Sequence, residues 1–282
     1  MKRMGSPFLA AAVQMSSGPD RDHNERRALA LCEEAIERGA KLVGLPEVWE
    51  HIGPAAQKAA FAGALDGRQL APLRELAARR AVWILAGSIS ELAEGGRTWN
   101  TSALLAPGGS IAARYRKLHL FDVDIPDGAR YRESESVAPG GELPPVVNLE
   151  SLGVKLGMSI CYDLRFPELY RSMAERGADL IAVPAAFTAF TGKAHWEVLL
   201  RARAVENQAF AFAPAQVGRI GPAGENRFAF GHALVVDPWG AVLADAGGDG
   251  EGMALAEIDP LRLVQVRRDL PALRHRRREV LG

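Results

Sequence analysis

Lys155-Leu156-Gly157-Met158-Ser159-Ile160-Cys161-Tyr162-Asp163-Leu164-Arg165-Phe166-Pro167-Glu168-Leu169-Tyr170-Arg171 reads as a strand, a sharp turn and a helix. Val154 to Ile160 is short, apolar and preceded by Gly153, which suits a buried strand. Pro167 suits the first turn of a helix, where its missing N–H is no loss. Leu169, Met173 and Ala174 continue at helical spacing, and Gly177 provides a stop. Cys161 is therefore expected at the C-terminal end of a strand, where the chain bends into a helix. Such a bend can present a nucleophile and aim backbone N–H groups at a developing oxyanion. A lone cysteine with apolar flanks is more often structural than reactive, so its company decides the reading.

Working outward, the chain alternates strands and helices in both halves. Phe8 to Met15, Lys41 to Leu45 and Val82 to Ser90 read as strands. Asp20 is placed to cap a helix running to about Arg38, with Leu29, Cys32 and Ile36 on one face. Cys32 on that stripe reads as core. Gln69 to Arg80 reads as a second helix. Trp99 to Leu105 and Ile111 to Lys117 form a hairpin about Pro107-Gly108-Gly109-Ser110. Asp179 to Val183, Phe210 to Val217, His232 to Val236, Ala241 to Ala244 and Met253 to Ile258 follow as strands. Helices are expected over Ala194 to Gln208 and Pro260 to about Arg268. This is an α/β pattern with mixed sheets. With no linker, low-complexity segment or fixed-period repeat, residues 1–282 read as a single domain.

Composition narrows the function classes. The 282 residues are 48% hydrophobic with zero formal net charge, which gives no general attraction to nucleic acid or an anionic membrane. The Arg274-His275-Arg276-Arg277-Arg278 cluster stands without a second basic patch carrying interleaved aromatics, so it reads as a terminal arm against a partner subunit. Two cysteines argue against a disulfide framework and for a reducing, cytoplasmic setting. Phe8 to Val13, interrupted by Gln14, is short for a signal segment, and no stretch approaches a membrane span. The six histidines are scattered and no zinc-type spacing occurs, so metal binding is poorly supported.

Three polar residues stand at strand ends: Glu47, Lys117 and Cys161. Strand ends on one sheet edge can converge, and this set is chemically coherent. A thiol of pKa ~8.5 is mostly protonated at neutral pH and needs a base. A carboxylate in a dry pocket can take that proton and return it to a leaving amine. An ammonium and the N–H after the nucleophile stabilise the oxyanion, each such donor being worth ~3 kcal/mol. Each residue also has a plainer reading, as a solvated loop acid, a basic strand edge and a core cysteine. His119 reads as a hydrogen-bonded structural histidine. Leu118 to Gly141 has little periodicity and carries Pro126, Gly128, Pro139 and Gly140; a loop of that length in a compact domain points to function.

Leu45-Pro46-Glu47, the stretch Tyr115-Arg116-Lys117-Leu118-His119-Leu120-Phe121-Asp122-Val123-Asp124-Ile125-Pro126, and Cys161-Tyr162-Asp163-Leu164-Arg165-Phe166-Pro167-Glu168-Leu169 resemble, in order, the three signature blocks of the nitrilase (carbon–nitrogen hydrolase) superfamily. Thr191 to Ala204, Gly231-His232, Val235 to Gly240 and Leu270 to Arg277 resemble its Nit branch, so the resemblance covers essentially the whole chain. It implies a four-layer αββα sandwich and a cofactor-free enzyme associating at least as a homodimer. Glu47 would be general base and acid, Lys117 the oxyanion stabiliser and Cys161 the nucleophile, with the Tyr162 N–H as second oxyanion donor. Glu133 matches the family's second active-site glutamate, holding Lys117 and the substrate amide. Arg165 is placed either to meet a substrate carboxylate or to pair with Glu168. The implied activity is a cysteine amidohydrolase releasing ammonia through a thioester, on deaminated glutathione or a related 2-oxo-acid ω-amide. Alternatives are a nitrilase or N-carbamoyl amino acid hydrolase, and a catalytically silent scaffold. Two departures from the branch, Phe230 for Tyr and Ala233 for Ser, remove two hydroxyls near the expected pocket.

Overall fold

The computed structural model describes residues 5–124, 130–220 and 227–281. In chain order its strands are β1 (Phe8–Met15), β2 (Ala40–Gly44), β3 (Trp83–Leu85), β4 (Ile89–Leu92), β5 (Thr98–Leu105), β6 (Ile111–Arg116), β7 (Asp122–Asp124), β8 (Arg130–Arg132) and β9 (Val146–Leu149). They continue as β10 (Val154–Met158), β11 (Leu180–Ala182), β12 (Phe210–Ala213), β13 (Ala215–Arg219), β14 (Phe228–Phe230), β15 (Leu234–Val236), β16 (Val242–Asp245) and β17 (Gly252–Ile258). The helices are α1 (Arg21–Glu37), α2 (Ala55–Phe61), α3 (Ala71–Arg80), α4 (Pro167–Glu175), α5 (Ala189–Asn207), α6 (Pro260–Asp269) and α7 (Arg278–Leu281).

Two mixed sheets face each other. The larger runs β14-β13-β1-β2-β3-β5-β4, with β17 also on β1 and β6 on β5. The smaller runs β16-β15-β12-β11-β10-β9. The two-residue period of β1 divides the layers. Ala11 and Val13 pack with Ala28, Leu31 and Cys32 of α1 and Leu73 and Leu76 of α3. Ala10 and Ala12 enter the second core with Leu42, Leu156, Met158 and Phe212. In β10, a Cβ on Gly157 would stand 2.5 Å from the Met173 sulfur of α4. Gly157 therefore faces the helix layer, and Leu156 and Met158 point the other way, between the sheets. With α4 and α5 outside the smaller sheet, the order is helix, sheet, sheet, helix, the expected αββα sandwich. Among the described residues no helix is long and apolar enough to cross a membrane.

Several boundaries differ from the sequence reading, each for a local reason. Val82 to Ser90 is not one strand: Gly87 adopts φ +45° and breaks it into β3 and β4. Phe210 to Val217 divides at Pro214, and its halves join opposite sheets as β12 and β13. The helix expected from Ala194 begins at Ala189, because Thr188 caps it, accepting from the Thr191 N–H at 3.5 Å. The α1 stripe is Ala28, Leu31, Cys32 and Ala35, with Leu29 and Ile36 only partly buried. Cys32 is core, and burial pushes its thiol up to about 12. The loop from Leu118 holds the β7–β8 ribbon and a 3₁₀ turn at Glu133–Glu135. The Ile125-Pro126 end of the second motif, with Gly128, lies outside the described residues.

Candidate active site

Four of the residues singled out from the sequence converge. Glu47 follows β2, Lys117 follows β6, Cys161 follows β10 and Glu133 opens the 3₁₀ turn after β8. Lys117 Nζ donates to Glu47 Oε1 at 2.8 Å and to Glu133 Oε2 at 2.9 Å. Glu47 Oε2 accepts from the Ala186 N–H at 2.8 Å, which ties the first sheet's acid to the loop after β11 of the second. Glu133 Oε2 also accepts from the Phe121 N–H at 2.8 Å, so the long loop is folded back onto the lysine.

Cys161 is buried, adopts φ +44° and donates its N–H to Pro184 O at 3.0 Å. A positive φ at a residue with a Cβ is strained, and here the turn is held from several sides. Asp163, fully buried, does most of this. Its Oδ2 accepts from the Ile160 N–H at 2.9 Å and the Tyr115 hydroxyl at 2.8 Å. Its Oδ1 accepts from the His119 N–H at 3.2 Å and meets His119 Nδ1 at 2.7 Å. One carboxylate thus joins the cysteine turn to the strand end that carries Lys117. His119 stacks on Phe166 with centroids 3.6 Å apart, the structural role expected of it.

The electrostatics follow from this packing. Burial opposes the Lys117 charge, but Glu133 and then Glu47 outweigh it and hold its pKa well above the ordinary lysine value. Burial likewise opposes the Glu133 charge, and Lys117 outweighs it, so that acid stays below the usual carboxylate range. The Cys161 thiol is pushed well up, first by burial and then by Glu47, with which it hydrogen-bonds; Lys117 offsets part of this. This packing favours the neutral thiol over the thiolate.

Asn100, on β5, was not singled out from the sequence. Its Nδ2 donates to Glu47 Oε1 at 2.8 Å and to Glu133 Oε1 at 3.1 Å. A lone asparagine in a strand carries no motif that would announce this. It lies across the hairpin from Lys117, whose N–H donates to the Asn100 carbonyl at 2.9 Å, and its place between two acids is tertiary information.

These side chains floor a cavity of about 620 Å³, also lined by Lys58, Phe121, Tyr162, Arg165, Phe187 and Thr191. That volume is typical of a small-molecule site. Arg165 makes no ion pair with Glu168 among the described residues. Its guanidinium donates to His195 Nδ1 at 3.1 Å and lies 5.0 Å from the Phe187 ring centroid. Phe230 and Ala233 are not among the lining residues. Phe230 packs over Gly192 of α5, and Ala233 is core, its N–H donating to Gln14 Oε1 at 3.0 Å. The two absent hydroxyls therefore do not alter the pocket wall.

The carbon–nitrogen hydrolase family model matches residues 9–268. Deaminated glutathione amidase of Synechocystis sp. is 49% identical over 272 residues, covering 96% of this chain and 98% of that protein. The ω-amidase NIT2 of Homo sapiens is 36% identical over 276 residues, covering 97% and 96%. Among solved structures, the NitFhit protein of C. elegans superposes with a TM-score of 0.90 at 39% identity. The match covers 98% of this chain and 66% of that one. The chain belongs to the carbon–nitrogen hydrolase family and is a hydrolase of carbon–nitrogen bonds other than peptide bonds.

Proposed function

We propose that the protein, acting as one catalytic domain, is a cysteine amidase that cleaves the ω-amide of deaminated glutathione or a closely related 2-oxo-acid amide. The observation that carries this reading is the Glu47–Lys117–Glu133 cluster against the Cys161 thiol, at the floor of one cavity. In the first step Glu47 accepts the thiol proton as Sγ bonds to the amide carbon. The carbonyl oxygen becomes an oxyanion, received by the Lys117 ammonium and the Tyr162 N–H. Collapse breaks the C–N bond, and Glu47 returns its proton to the leaving amine. Water, deprotonated by Glu47, then attacks the thioester, giving the carboxylic acid and restoring the thiol. Glu133 positions Lys117. Arg165, with its guanidinium at the cavity wall, meets a carboxylate on the acyl portion.

Chemistry separates the two candidate substrates by their amine. Deaminated glutathione gives 2-oxoglutarate and cysteinylglycine, which corrects the ammonia release expected from the sequence, whereas α-ketoglutaramate gives 2-oxoglutarate and ammonia. The 49% identity to a deaminated glutathione amidase, against 36% to an ω-amidase, favours the first. Release of 2-oxoglutarate from both amides, beside release of ammonia from a simple nitrile and a carbamoyl amino acid, tests the reading. Turnover of a 2-oxo amide that is lost in Cys161→Ala is the expected result. Turnover of the nitrile or carbamoyl substrate alone would overturn it.

A cytoplasmic homodimer is the natural setting. A free catalytic thiol suits a reducing compartment. Val198 and Val205 on α5, with the neighbouring Trp239, form an exposed apolar stripe suited to a second copy. Light scattering in solution reads the assembly directly.

A further inference from the structure

The cavity wall carries more positive charge than the chemistry uses. Lys117 is committed to Glu47 and Glu133. Arg130 and Arg132 both meet Asp124, at 3.5 and 2.8 Å. Arg165 rests on His195 and the Phe187 ring. Lys58 is different: it lines the cavity half-buried, and among the described residues no carboxylate lies at ion-pair distance from its ammonium. Its helix is held in place. Phe61, at the end of α2, gives its carbonyl to Gln69 Nε2 at 2.8 Å and sets its ring edge-on to His51 with centroids 4.9 Å apart.

Position assigns this cation a side. Lys58 rides on α2, which packs beside β4 of the larger sheet, the sheet whose strand ends carry Glu47 and Lys117, so it stands on the carboxylate side of the reacting centre. Arg165 stands over Phe187 and Tyr162, on the side of the cysteine turn. The acyl group stays on Cys161, and the amine takes its proton from Glu47, so the amine portion departs on the Lys58 side. Two buried carboxylates around one ammonium repel an incoming anion there, and Lys58 counters them. Burial also lowers the Lys58 pKa, a cost that a ligand carboxylate would relieve.

Resting on the function proposed above, we infer that Lys58 selects amides whose amine portion ends in a carboxylate, as the dipeptide portion of deaminated glutathione does. Two extended residues separate that carboxylate from the scissile nitrogen by about 7 Å. A flexible lysine on the cavity wall suits a partner at that reach. Lys58 is a specificity-determining residue and takes no part in the bond-breaking steps.

The test compares amides that share the 2-oxoglutaryl acyl group: deaminated glutathione, its C-terminal carboxamide and α-ketoglutaramate. Lys58→Met is expected to lower kcat/KM on deaminated glutathione about tenfold, chiefly through KM, and to change α-ketoglutaramate by less than about twofold. Lys58→Arg is expected to restore most of the loss. Wild type should lose a similar factor on the carboxamide, and Lys58→Met nothing further. Equal losses on deaminated glutathione and α-ketoglutaramate, or a variant that still prefers the acid over its carboxamide, would overturn the inference. A wild type that releases 2-oxoglutarate from none of the three removes the function proposed above, and this inference with it.

Discussion

Asn100 donates its side-chain amide to Glu47 Oε1 at 2.8 Å, and the same nitrogen reaches Glu133 Oε1 at 3.1 Å. Two acids that would otherwise repel are spaced by one neutral donor and one ammonium. Asn100→Ala should lower kcat about 10- to 100-fold, the loss expected when a hydrogen bond to a charged group at the reacting centre is removed. KM should change far less. Asn100→Asp should do worse and shift the acid limb of the rate profile to higher pH, because a third carboxylate raises the protonation of its neighbours. An unchanged kcat in Asn100→Ala, with pH–rate profiles that coincide, would contradict this role.

The resting state of Cys161 leads to a second prediction. Burial and Glu47 hold its thiol well above the usual value, which favours the neutral thiol in the free enzyme. Its alkylation by iodoacetamide should be slow near neutrality and climb through alkaline pH. A plateau reached by about pH 6 would indicate a stable thiolate–ammonium pair with Lys117.

Asp163 links the cysteine turn to the Lys117 strand end and is fully buried. Asp163→Ala would strand the Tyr115 hydroxyl and the N–H groups of Ile160 and His119. The expected cost is about 3 kcal/mol or more in urea unfolding, since each buried donor left unpaired costs about 1–3 kcal/mol. Asp163→Asn keeps an acceptor and should lose less. A destabilisation below 1 kcal/mol, measured as roughly unchanged midpoint and slope, would show that the turn is held by other contacts.

Behind the site, Glu50 is buried and accepts from the Ser90 N–H at 2.8 Å and from Arg21 at 3.2 Å. Burial pushes its carboxyl up to about 7. The folded state therefore binds this proton more tightly than the unfolded chain does. The resulting stability is present below the unfolded pKa of roughly 4.3 and is lost as pH rises towards 7. The loss is on the order of 3 kcal/mol. Glu133 runs the other way: its folded pKa is depressed, so its contribution is full above roughly pH 4.3 and falls as pH drops through the folded value. Glu50→Gln should flatten the decline between pH 5 and 7 and be more stable than wild type at pH 8. Parallel stability curves for the two proteins would contradict this.

Much of the site was legible in the sequence because its parts sit at strand ends. Glu47, Lys117 and Cys161 each follow a strand, and each lines the cavity. Glu133 was reached through the family pattern, since a glutamate in a charged loop has no periodicity to mark it. What escaped depends on packing between distant segments. Asn100 matters through two acids brought in from other elements. Lys58 rides on α2, a seven-residue helix too short for a periodic signal. The division of Phe210 to Val217 between two sheets escaped for a related reason: an apolar run reports burial and does not say which sheet buries it.

The measurement closest to the central claim is the intact mass of the protein, acid-quenched during steady-state turnover of α-ketoglutaramate. Wild type is expected to carry a 2-oxoglutaryl adduct that hydroxylamine removes and that maps to Cys161, with Cys161→Ala unmodified and inactive. Turnover that persists in Cys161→Ala, or an adduct on any other residue, would contradict a thioester mechanism at Cys161.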